Sequence, residues 1–116
     1  MGSKLRILDF AWAAGLFDGE GNIRFDPRPG RKNGWCQMQM AQTDRRVLDR
    51  FRGVLGIGKV YGPYPQRHEK SKPYFQYSAQ GFESVQAAAA MLWRFLSPVK
   101  RNQVRATLEA ARVYQA

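Results

Sequence analysis

Trp12-Ala13-Ala14-Gly15-Leu16-Phe17-Asp18-Gly19-Glu20-Gly21 is the stretch on which the fold turns. Small residues, Ala11, Gly15 and Gly19, recur at i, i+4 and i+8, and two acids, Asp18 and Glu20, close an otherwise apolar run. A glycine inside a helix costs roughly 1 kcal/mol against alanine, so a pair of them requires a reason. Small residues four apart share one helix face and let a second backbone approach closely. The C-terminal end of a helix carries the negative pole of its dipole, so an acid there is penalised unless a cation stands nearby. A divalent metal would supply that cation.

The composition narrows the partners. With 116 residues the chain is expected to be a single domain, 1–116, whose 44% hydrophobic content is that of a globular protein. A net charge of +10 is extreme for this length and favours a polyanion, chiefly nucleic acid. A membrane is not expected: no run of 18 apolar residues occurs and no basic segment has an apolar face. The lone cysteine, Cys36, excludes an internal disulfide and fits an intracellular, reducing compartment. Bacterial or phage cytoplasm and an organelle both satisfy that condition.

Outward from the opening stretch, Asp9 can cap a helix over about 10–20, stopped by Gly21. Ile23 and Phe25 then alternate with Asn22, Arg24 and Asp26, the period of a strand. A basic turn, Pro27 to Gly34, leads to a second strand with Cys36, Met38 and Met40 on one face and Trp35, Gln37 and Gln39 on the other. Thr43 can cap a helix with Val47, Leu48, Phe51, Val54 and Leu55 inward, ended by Gly56. Strands follow at 57–64, with Val60 inward, and at 74–79, separated by a loop bearing Arg67, His68, Lys70 and Lys72. Phe82, Val85, Ala89, Leu92 and Phe95 mark a helix over about 82–96. Ser97 and Pro98 then cap and open a last helix carrying Val104, Leu108 and Ala111 inward. The predicted order is α-β-β-α-β-β-α-α, an α+β fold.

The opening stretch, from Ala13 to Gly21, resembles the LAGLIDADG motif of homing endonucleases and related maturases. It departs with Ala13 in place of the first leucine and Glu20 in place of the second aspartate, a change that keeps the carboxylate. The element order is similar to a complete single-motif subunit of that family. Gln42-Thr43-Asp44-Arg45-Arg46-Val47-Leu48, Leu55-Gly56-Ile57-Gly58-Lys59-Val60-Tyr61 and Pro98-Val99-Lys100-Arg101-Asn102-Gln103 resemble its second helix, the turn into its third strand and its lysine-bearing last helix. The resemblance implies a four-stranded antiparallel DNA-binding sheet and an intron-encoded nuclease.

Each candidate residue also has a plainer reading. On composition alone Glu20 is equally an exposed acid making a salt bridge; the resemblance makes it the ligand of a catalytic Mg²⁺ or Mn²⁺. Asp18 reads as structural, capping a backbone or holding the helix pair. Lys100 is by position a solvated lysine set against the positive end of its helix, which hints at a nearby anion; the resemblance puts it beside the scissile phosphate. Gln42 is a candidate for positioning water. The outward row Arg24, Asp26, Arg28, Trp35, Gln37, Gln39, Lys59, Tyr61, Tyr74 and Gln76 is either a solvated sheet face or a DNA-contacting one. Its arginines, glutamines and aspartate suit guanine, adenine and the cytosine amino group. Lys32, Lys70 and Arg45 are expected at phosphates. His68 reads as a loop residue and Cys36 as core.

One copy of the motif brings one metal-binding carboxylate, whereas two-metal hydrolysis uses carboxylates that bridge the ions. The chain is therefore expected to act as a homodimer paired through Ala11, Ala14, Gly15, Asp18 and Gly19. It would cut both strands of a long, roughly palindromic duplex, across the minor groove and with short 3′ overhangs as the family does. The alternative is an RNA-splicing maturase, with RNA as partner, or a binding module without cleavage on the same fold.

Overall fold

The computed structural model describes residues 3–28, 34–68 and 70–115. In chain order the elements are α1 (Ser3–Glu20), β1 (Gly21–Asp26), β2 (Trp35–Gln42), α2 (Arg45–Leu55), β3 (Lys59–Tyr64), β4 (Tyr74–Gln80), α3 (Phe82–Leu92), a short 3-10 turn (Trp93–Phe95) and α4 (Pro98–Gln115). The α+β order read from the sequence is the order found. Besides the fourth strand, which runs one residue further than expected, to Gln80, boundaries differ in four places. The first helix begins at Ser3, so Asp9 lies within it and caps nothing. Asp44, not Thr43, caps α2: its carboxylate accepts the Arg46 amide and the Arg46 guanidinium, which holds its pKa below the usual carboxylate range. The third strand starts two residues later than expected, at Lys59, and α3 tightens into the 3-10 turn at Trp93 instead of running through to 96.

The strands form one antiparallel sheet in the order β1-β2-β4-β3. Strand alternation sends Ile23, Cys36, Met38, Met40, Tyr77 and Ala79 to a buried side, and the helices pack there. Phe17 of α1 stacks on Phe51 of α2 at 6.4 Å, and Phe51 meets Tyr77 of β4 edge-on at 4.8 Å. Tyr77 donates its hydroxyl to the Ile57 carbonyl at 2.7 Å, and burial pushes its pKa up. Burial likewise raises the Cys36 thiol, a core residue as its position in the alternation implied.

Two glycines shape the path to the site. Gly56 closes α2 at φ 68°, in the left-handed region that favours glycine, and donates its amide to the Arg52 carbonyl. At Gly21 any Cβ would overlap the Phe17 ring, so only glycine lets the chain leave α1 and enter β1 over the packed phenyl group.

Arginine side chains lie over aromatic rings more than they join acids. The Arg50 guanidinium sits 3.8 Å from the centre of the Trp12 ring, joining α2 to α1. Arg101 and Arg105 flank Trp93 at 5.3 and 5.2 Å. Among the described residues the ion pairs are Arg45–Asp49, Arg46–Asp44 and Arg112–Glu109, all exposed. Among those residues, too, no helix is long and apolar enough to cross a membrane.

Candidate nucleic-acid interface

Asp18 and Glu20 have opposite fates. The Asp18 carboxylate accepts the backbone amide of Ser97, shared between its oxygens at 3.1 and 3.2 Å, and the Ser97 hydroxyl at 3.0 Å. Ser97 in turn accepts the Lys100 amide on its Oγ at 3.2 Å, the side-chain cap expected before a helix. The end of α1 is thereby clasped to the start of α4. Glu20, two residues on, is exposed, and its carboxylate makes no hydrogen bond or ion pair within the described residues.

Lys100 rises from the clasped end of α4. It is 8% exposed, runs past the Phe17 ring at 5.4 Å and donates from Nζ to the Gly21 carbonyl at 2.9 Å. Lys100, by helix position alone a solvated lysine, is thus buried and aimed at the residue after Glu20. Two recesses open beside Glu20. One, of about 320 Å³, is lined by Glu20, Asn22, Gln39, Met40, Ala41 and Gln76. The other, of about 470 Å³, brings Glu20 together with Gln42, Thr43, Gln66 and Tyr74. Glu20 and Gln42, far apart in sequence, share a cavity wall. From the sequence, alternation places Asn22 on the polar strand face and Ser97 reads as the cap of the last helix, a role the structure keeps, whereas no signal marks Gln66.

The face of the sheet away from the helices carries the predicted polar row. Arg24, Lys59 and Tyr61 are exposed on it, with Asp26, Trp35, Gln39, Tyr74 and Gln76 half-buried. Gln76 donates its side-chain amide to Gln39 at 2.7 Å, Tyr64 leans on Tyr74 at 5.5 Å and the Arg28 guanidinium covers the Trp35 ring at 4.9 Å. Gln37 is a correction. Rather than standing ready for a ligand it is 6% exposed and held by its neighbours at both ends of its amide. Arg45 pairs with Asp49 one turn along α2 and lies over Phe75. Lys70 is exposed in the loop before β4, whereas Lys32 lies outside the described residues.

On α1, Gly15 and Gly19 are exposed, and a Cβ added at either would meet nothing within 4 Å. Nothing in the chain's own packing requires glycine there. Leu8, 63% exposed, and partly buried Ala11 lie along the same side. Ala14 is a correction to the expected pairing face. With 0% exposure it belongs to the core beside Ala13, because a one-residue step turns a helix by about 100°.

No protein-family model matches the chain, and no curated protein sequence does. Solved structures do match. The homing endonuclease I-CvuI, in complex with the I-CreI target in the presence of Mg, superposes with a TM-score of 0.73 at 23% identity over 93% of this chain and 68% of that one. The archaeal intron-encoded homing endonuclease I-Vdi141I, complexed with DNA, gives 0.69 at 18% identity, over 91% of this chain and 68% of that one. The LAGLIDADG meganuclease I-AabMI, bound to uncleaved DNA, gives 0.67 at 23% identity over 90% of this chain but 36% of its own. The chain thus spans about two-thirds of the first two proteins and about a third of the last.

Proposed function

We propose that this chain, whose fold is that of the LAGLIDADG homing endonucleases, is a sequence-specific DNA endonuclease that hydrolyses both strands as a homodimer. The observation that carries the reading is Glu20: an unpaired carboxylate at a helix C-terminus, in a chain of net charge +10, beside a buried lysine and at the edge of the polar sheet face. An acid left unpaired among so many cations is available to a ligand.

The donor set fits a divalent ion held between chains. Among the described residues no three acids, histidines or cysteines gather closely enough to hold a metal, so one chain alone is not a cage. Mg²⁺ is commonly held by one or two carboxylates, with substrate phosphate oxygens and water completing its shell. Two copies paired across the open Gly15 and Gly19 face would offer Glu20 from each. Bound there, Mg²⁺ or Mn²⁺ would neutralise phosphoryl charge and lower the pKa of a bound water. Lys100, fixed to the Gly21 carbonyl, adds positive charge at the same edge, and Gln42 offers amide hydrogen bonds to a water in the shared recess. The sheet face supplies Arg24, Gln39 and Gln76 for base edges in the major groove, with Arg28, Lys59 and Lys70 for phosphates. A two-fold dimer implies a roughly palindromic site.

Replacement of Glu20 by glutamine tests this reading. Glu20→Gln preserves shape and removes charge, so Mg²⁺-dependent cleavage of a selected duplex should be lost while DNA affinity is kept or improved. Cleavage by the variant at a rate comparable to wild type would eliminate Glu20 as the metal-binding group.

A further inference from the structure

The outer sheet face is not a row of independent side chains. Gln37 Oε1 accepts from Arg24 Nη2 and from Trp35 Nε1, each at 3.3 Å, while Gln37 Nε2 donates to Ser78 Oγ at 2.9 Å. Ser78 Oγ also accepts from Gln80 Nε2 at 3.3 Å. Both Gln37 and Ser78 are 6% exposed, whereas Arg24 stands in solvent. The strand register sets Arg24 directly opposite Gln37.

These bonds fix which way the Gln37 amide faces. Turned over, it would point NH₂ at the donors of Arg24 and Trp35. Swung out toward a ligand, it would give up its bonds with Arg24 and Trp35 and leave the buried Ser78 hydroxyl with only the longer 3.3 Å bond from Gln80, and lost partners of buried polar groups are costly. Arg24, by contrast, gives one of its five N–H donors to Gln37 and keeps the rest. A guanidinium held in this way loses less freedom when it forms a bidentate bond to guanine O6 and N7.

We propose that Gln37 and Ser78 are positioning residues that hold Arg24, and that Arg24 is the group through which this part of the face discriminates a base. The inference rests on the sheet face being the DNA surface. Wild type, Arg24→Ala, Gln37→Met, Gln37→Glu, Ser78→Ala and the Arg24→Ala/Gln37→Met double variant would each select bound duplexes from a randomised library in Ca²⁺. Thermal melts of every variant would accompany the selection. Arg24→Ala should erase preference at one position of each half-site, a fall on the order of tenfold or more. Gln37→Met should lose most of the preference at that same position and leave the others unchanged, with Ser78→Ala following to a smaller degree. Gln37→Glu should keep it, since its oxygens still accept from Arg24 and Trp35 and the Ser78 hydroxyl can donate to it. The double variant should match Arg24→Ala.

A Gln37→Met effect at a different position, or one that adds to that of Arg24→Ala, would mean that Gln37 reads a base itself and would overturn the proposal. An unchanged Gln37→Met profile would overturn it too. If Gln37→Met fails to fold, Ser78→Ala and Gln37→Glu decide by the same criterion. A profile untouched by Arg24→Ala, Gln39→Ala and Gln76→Ala in a chain that still binds specifically would instead place the DNA surface elsewhere, refuting the underlying reading.

Discussion

Truncating Asp18 to alanine should weaken the fold, in contrast to any change at Glu20. The carboxylate accepts one shared amide and one hydroxyl from Ser97. Hydrogen bonds to a charged group are worth about 1.5–3 kcal/mol each, and a negative charge at the α4 N-terminus adds about 0.3–1 kcal/mol. The site is half-buried and the bonds share one acceptor, so the sum falls short of additivity; a loss of about 2–3 kcal/mol is expected. For a chain of this length that is a drop in melting temperature of roughly 8–12 °C. Asp18→Asn keeps an acceptor oxygen without the charge and should cost about half as much. Ser97→Ala also removes the Lys100 amide's partner, a cap worth about 1 kcal/mol. Melting curves of the single variants and the double variant, at one fixed protein concentration, give the coupling between the two residues. A melting temperature for Asp18→Ala within about 2 °C of wild type, or coupling below about 0.5 kcal/mol, would refute the clasp. Glu20→Gln should melt with wild type.

Gly15→Leu should separate the dimer without harming the subunit, because the added side chain enters open space on its own chain and gains about 0.8 kcal/mol of helix propensity; a variant still dimeric in sedimentation would sink the pairing proposed for this face. Tyr77 is pushed above its ordinary pKa near 10 by burial. Its neutral form therefore stabilises the fold fully below about pH 10, and that stability is lost as pH rises beyond it, by about 1.4 kcal/mol per unit. Tyr77→Phe should flatten this alkaline limb of the stability–pH curve, and an identical slope in wild type and variant would exclude Tyr77 as its source.

The element order was legible because helix and strand periods are written plainly in residues such as Val47, Leu48 and Phe51 or Cys36, Met38 and Met40. Boundaries were less so where more than one residue suits the same role. Thr43 and Asp44 are both good caps, and the choice fell to Asp44 because its carboxylate also engages Arg46. Asp9 looked like a helix start, yet the Leu5, Arg6, Ile7 and Leu8 before it favour helix as well, and α1 extends through them to Ser3. The motif pointed to Glu20, and alternation pointed to the polar face. What sequence could not supply was register: that Arg24 faces Gln37, and that Gln37 reaches Ser78, follow from which strands pair and at what offset. The separation of Ala14 from Gly15 turned on the helix's rotation about its axis, which the spacing of small residues alone does not fix.

The settling of guanidinium groups on aromatic rings, Arg50 on Trp12 and Arg101 and Arg105 on Trp93, separates what salt does to the fold from what it does to binding. Exposed ion pairs loosen as ionic strength rises, but the architecture depends little on them; the described ones all lie on the surface. Planar cations packed on rings hold partly through dispersion and apolar contact, which electrolyte leaves in place. Screening also relieves the mutual repulsion of a chain at +10. Phosphate contacts behave in the opposite way, losing orders of magnitude in affinity between about 50 and 200 mM salt when several are made. On the proposed DNA-binding reading, a concentrated-salt wash should therefore strip nucleic acid from this protein while leaving the folded chain unchanged or firmer, so the stock handled at the bench is best kept in brine and diluted only for binding assays.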